Sequence, residues 1–129
     1  MAGSLGDLVL VGAGGCAGSV MRYALGGAVH RLVPMSAFPY GTLAVNGLGC
    51  LVIGLLVGLS DARNVIGPQM RLFLFLGVLG GFTTFSTFGH ETLALLRDGE
   101  RLAAAGNVVS QLVVGLGCAW AGYALASST

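Results

Sequence analysis

Gly80-Gly81-Phe82-Thr83-Thr84-Phe85-Ser86-Thr87-Phe88 is the stretch on which the fold of this chain turns. It lies inside an apolar segment, yet it holds two adjacent glycines, four hydroxyls and three phenylalanines. A glycine in a helix interior costs about 1 kcal/mol relative to alanine, so the pair loosens any helix it sits in. Hydroxyls can re-satisfy the backbone groups that a broken helix frees, and irregular backbone at membrane depth survives only where protein or a water-filled cavity covers it. Phe82, Phe85 and Phe88 recur every third residue and therefore stay on one side of a helix. Taken alone they read as aromatic packing. Combined with the hydroxyls behind a double glycine, they read as a helix broken near Gly80-Gly81 that lines a polar route.

The surrounding composition calls for a membrane. Of 129 residues, 55% are hydrophobic and 9% charged, and the mean hydropathy is +0.89. Soluble domains carry roughly 25% charged residues. The 23 glycines come with only three prolines and no collagen period, which suits closely packed membrane helices. Net charge is +1, every basic residue is arginine, and no basic patch points to nucleic acid. Cys16, Cys50 and Cys118 stand far apart in apolar runs and read as small buried packing residues rather than metal or redox ligands. Asp7 precedes the first apolar run where a cleaved signal would carry Lys or Arg, so that run is expected to be a retained helix.

Four apolar segments have about the ~20 residues needed to cross a bilayer. They cover residues 5–29, 41–60, 72–89 and 102–127, leaving short connections and a single four-helix transmembrane domain over 1–129. Small residues four apart (Gly14 and Gly18, Gly54 and Gly58, Cys118 and Gly122) predict close helix contacts. With four spans, Arg63 and Arg71 fall on one side, and Arg31, Arg97 and Arg101 on the other, with Arg22 if it snorkels that way. So weak a bias predicts insertion in both orientations, hence an antiparallel, dual-topology homodimer.

Within the spans the polar inventory is mostly donors. Arg22 interrupts the first helix, where a central charge costs at least ~2.5 kcal/mol; it is either a cation at a pore mouth or a topology anchor. Thr42 and Asn46 share a face of the second helix, and an unpaired amide there is costly. Asn107, Ser110 and Gln111 form a polar edge near the start of the fourth. His90 and Glu91 close the third segment. No nucleophile–base set, phosphate loop or metal-ligand spacing is present, so the chain does not read as an enzyme, and the donors favour an anion route.

These residues resemble the Fluc family of fluoride channels, also called CrcB proteins. The resemblance rests on Gly14-Gly15-Cys16-Ala17-Gly18-Ser19-Val20-Met21-Arg22-Tyr23, on Gly41-Thr42-Leu43-Ala44-Val45-Asn46, and on Gly80 through Phe88 followed by Glu91. It implies a passive, fluoride-selective exporter of a prokaryotic-type plasma membrane that relieves fluoride toxicity. It also implies a two-pore antiparallel homodimer and a central Na⁺ held by the Gly80 and Thr83 backbone carbonyls at the break. By motif position the fluoride pathway falls on Asn46, Phe85 and Phe88, with Ser86, Thr87 and Thr42 along it and either Ser110 or Gln111 from the fourth helix. Two other readings are a small proton-coupled multidrug antiporter, which wants a membrane-embedded carboxylate in the first helix, where Asp7 is too near the terminus, and a non-transporting assembly subunit whose polar residues glue helices.

Overall fold

Ser4 starts the first helix. Its hydroxyl accepts the Asp7 N–H at 3.1 Å while the Asp7 carboxylate accepts the Ser4 N–H at 3.0 Å, a reciprocal cap that satisfies two end donors. The computed structural model describes residues 3–129 and contains helices and no strand among them. Helix α1 is Leu5–Leu32 and α2 is Tyr40–Arg63. The third span, α3 (residues 68–82), joins an α-helical turn Pro68–Arg71, a π-helical stretch Leu72–Leu79 and a last turn Gly80–Phe82. Then come α4, Phe85–Arg97, and α5, Arg101–Ser127. Among the described residues, four stretches are long and apolar enough to span a bilayer: Leu5–Leu32, Tyr40–Arg63, Pro68–Arg97 and Arg101–Ser127.

The turns explain where these spans stop. Asn64 takes the left-handed conformation (φ 50°) and donates its N–H to Ser60 O, ending α2. Gly99 (φ 80°) lies between Arg97 and Arg101, the conformation that glycine adopts without a steric penalty. The expected end of the third segment at Gly89 therefore moves to Arg97: His90 and Glu91 continue α4, and the expected connection from His90 to Arg101 shrinks to residues 98–100.

Two tight seams hold the bundle. Along the first, a Cβ at Gly14 would stand 2.5 Å from Phe73 O and one at Gly81 the same distance from Gly15 O. Along the second, Gly54 lies against Ala119 and Tyr123, and Gly122 against the Leu51 carbonyl. Gly47 meets Val114 and Gly58 meets Ala126, so α2 and α5 run parallel. Such contacts let dispersion replace the hydrophobic drive that lipid removes. Most large apolar side chains point outward, Trp120, Leu116 and Leu102 among them, and Cys16, expected to be buried, is exposed on α1.

The glycine pair is not where the third span breaks. Gly80–Phe82 is helical, and the extended residues are Thr83 (ψ 155°) and Thr84 (φ −152°, ψ 121°). Gly81 instead lets α3 approach α1. Phe82 parts from the other two phenylalanines and is buried in the core.

Candidate functional site

The break is stitched by one side chain from α2. Asn46 Oδ1 accepts the Thr84 N–H at 3.0 Å, and Asn46 Nδ2 donates to Thr84 O at 3.3 Å. The same Nδ2 donates to Gln111 Oε1 of α5 at 3.2 Å. Since a backbone N–H can only donate, it fixes which end of Asn46 is oxygen, and the rest of the network follows. Both Nδ2 protons are committed, and the unpartnered donor of the cluster is the buried Gln111 Nε2.

Diverting these donors frees carbonyls. A continuous helix would give the Thr84 N–H to Gly80 O and the Thr87 N–H to Thr83 O. Here the first goes to Asn46, and the second goes to Thr84 Oγ1 at 3.2 Å, where Thr84 caps α4. Thr83 keeps its own N–H and Oγ1 on Leu79 O, at 2.9 and 2.8 Å. Gly80 and Thr83 thus carry carbonyl oxygens without helical partners, and Gly80 is exposed. No group of three or more His, Cys, Asp or Glu side chains gathers to bind a metal among the described residues.

Two cavities lie beside the break, with Thr84 in the wall of both. The first, about 520 Å³, opens between α1, α2 and α4; Ser19, Arg22, His30, Thr42, Thr87 and Glu91 line it. Thr42 Oγ1 donates to Glu91 Oε1 at 2.6 Å. Arg22 Nε and Glu91 Oε2 are buried without protein partners. The second, about 320 Å³, is lined by Asn46, Ile53, Thr83, Phe85, Phe88 and Gln111. The Phe85 and Phe88 rings lie 5.4 Å apart at 50°, and Phe85 is 84% exposed.

The helical repeat of α4 sorts its side chains between the two cavities. Thr84, Thr87 and Glu91 form one stripe toward the first; Phe85 and Phe88 form another toward the second. Of the expected pathway residues, Asn46, Phe85, Phe88 and Gln111 share the second cavity, while Thr42, Thr87 and Arg22 share the first. Ser86 is exposed and contacts Thr84 Oγ1 at 3.2 Å. Between the two α5 candidates the geometry discriminates: Gln111 joins Asn46, whereas Ser110 bonds back to Asn107 O at 3.2 Å and lines neither cavity.

Sequence reasoning left Glu91 at a helix end and did not pair it with Thr42. The spacing Thr87–Glu91 was the available signal, since it continues the Thr84–Thr87 face by one more turn. It also passed over Thr92, four residues beyond Phe88 on the aromatic stripe.

A family model described as "CrcB-like protein, Camphor Resistance (CrcB)" matches residues 9–123. A fluoride-specific ion channel of Methylobacillus flagellatus is 49% identical over 123 residues, covering 95% of this chain and 96% of that protein. One of Chlorobaculum tepidum is 47% identical over 93% of this chain and 94% of its own. One of Geotalea daltonii is 45% identical over 92% of this chain and 95% of its own.

Proposed function

The chain belongs to the CrcB-like family, and from that premise we propose the route by which it carries fluoride. It is a multi-pass membrane protein and a fluoride channel, not an enzyme. The observation that carries the proposed route is the second cavity, where Phe85, Phe88, Asn46 and Gln111 line one space and the Gln111 Nε2 has no protein partner. Fluoride is small and strongly hydrated, so a narrow path must replace its water with donors. Aromatic edges are the positive end of the ring quadrupole, and Phe85 and Phe88 offer them. Gln111 Nε2 supplies the free N–H, while Asn46 holds the broken backbone open. The first cavity is the aqueous mouth, in which Arg22 attracts anions, and Thr42, Ser86 and Thr87 line the way past Thr84. Larger anions are rejected by width and donor spacing.

The functional unit in this proposal is an antiparallel homodimer in a plasma membrane, exporting fluoride and so relieving its toxicity. The outward-facing Phe85 and the near-even arginine distribution support a second copy as the other wall of each path. The freed Gly80 and Thr83 carbonyls are hard oxygen donors and fit Na⁺. When bound, the ion would satisfy those oxygens and add positive potential near the path.

The competing readings fare worse. The only carboxylate within α1 is Asp7, in its first turn and engaged in the cap, so the first helix carries no mid-helix acid for proton-coupled drug exchange. The test is fluoride release from liposomes holding the purified protein, with voltage clamped by a potassium ionophore and no proton gradient. The channel releases fluoride and retains chloride. An antiporter would release little until a drug and proton gradient were supplied, and an assembly subunit would release none.

A further inference from the structure

We infer that Asn107 and Thr92 are positioning residues that set the register of the aromatic stripe against α5. The inference rests on the pathway proposed above. Asn107 is fully buried, 0% exposed. Its Nδ2 donates to Thr92 Oγ1 at 2.9 Å, and Thr92 Oγ1 donates to Phe88 O at 2.8 Å. This relay ends on the backbone of the residue whose ring lines the second cavity. It is also the one side-chain hydrogen bond between α4 and α5 among the described residues.

Spacing gives the relay its meaning. Phe85, Phe88 and Thr92 form one stripe of α4, and Asn107 and Gln111 lie four apart on one face of α5. The Asn107–Thr92 bond therefore pins the far end of the two stripes whose near ends hold Phe85, Phe88 and Gln111. Sliding or rotating α4 on α5 would break this bond and move Phe88 relative to the Gln111 donor.

Energetics argue against a packing role for the amide. Asn107 Oδ1 is buried with no protein partner, and a stranded buried acceptor is a net loss to stability. Leucine, of similar volume, would fill the site without that loss, and Thr92 would keep its bond to Phe88 O. An amide that stability does not favour, placed on the backbone of a pathway residue, is explained by positioning.

The test compares fluoride efflux per folded protein for wild type, Asn107→Leu, Thr92→Val, Thr92→Ser and Phe88→Ile. Asn107→Leu and Thr92→Val are expected to fold normally and slow efflux about tenfold, the effect of ~1.4 kcal/mol on a barrier. Thr92→Ser keeps the hydroxyl and is expected to stay within about twofold of wild type. In a Phe88→Ile background Asn107→Leu should cause little further loss, because its effect runs through that ring. Should Asn107→Leu fail to fold, Thr92→Val and its Ser rescue carry the comparison. Wild-type efflux from folded Thr92→Val alongside a slowed Phe88→Ile would overturn the relay and leave the pathway standing. Wild-type efflux from folded Phe88→Ile would overturn both.

Discussion

Along the α2–α5 seam, backbones meet at Gly54 and Gly122 through small residues and dispersion alone, whereas about two turns earlier on the same α2 the Asn46 amide holds Thr84 by hydrogen bonds. The first contact leaves nothing for an ion to interact with. The second opens a helix and returns its backbone groups to side chains, which keeps polar atoms in an otherwise apolar span. Stability is concentrated in the dry seam and, on the proposed route, chemistry in the stitched break, and each should fail in its own way.

The largest effect is expected in the dry seam. A side chain at Gly122 would run into the Leu51 carbonyl and the Leu55 N–H, backbone atoms that cannot yield. Gly122→Leu should give no folded protein by size-exclusion chromatography in detergent, so the loss of flux would be incidental. Next comes the stitch. Asn46→Leu strands the Thr84 N–H and C=O, each worth ~1–3 kcal/mol when unsatisfied and buried. Efflux should fall by at least about tenfold with α2 and α5 still packed. Asn46→Asp can still accept the Thr84 N–H, but it turns a carboxylate toward Thr84 O and Gln111 Oε1 and repels the anion, so it should be the slower of the two. If both variants conduct normally, the stitch is not part of the path.

A third comparison separates the neighbouring glycines. At Gly81 a Cβ would press on Gly15, whereas at Gly80 the nearest atom of the chain is 3.7 Å away. Gly80→Val should therefore keep its helical content by circular dichroism yet lose dimer by size-exclusion chromatography with light scattering in detergent, because the Gly80 carbonyl is proposed to face the shared Na⁺. A fully dimeric Gly80→Val would count against a shared site there. The smallest effect belongs to the first cavity. Arg22→Gln should lower efflux a few-fold at low ionic strength, and the deficit should shrink as salt shortens the Debye length to ~10 Å at 0.1 M. A salt-independent deficit would mean that Arg22 acts through packing.

The same contrast accounts for what the sequence reveals. Gly14, Gly18, Gly54 and Gly122 announce the dry seams because close approach requires small residues at helical spacing, a local pattern. The break is not local. Gly80-Gly81 invites placing it three residues too early, because its position depends on Asn46, 38 residues away along the chain. The Thr42–Glu91 bond spans 49 residues and is equally hidden. Gly99 marks the true end of α4, but the polar His90-Glu91 pair suggests an earlier stop. Which of Ser110 and Gln111 meets Asn46 needed the neighbouring helix, since both lie on the same polar edge and only Gln111 bonds to it.

The most direct test of the proposed path is fluoride efflux from liposomes containing Phe85→Ile or Phe88→Ile, each first shown to be folded and of wild-type oligomeric size. Isoleucine keeps an apolar wall but removes the ring quadrupole. If ring edges carry the ion, efflux should drop by about tenfold or more in each variant while the protein elutes unchanged. Wild-type efflux from both well-folded variants would contradict the account and leave the phenylalanines as packing.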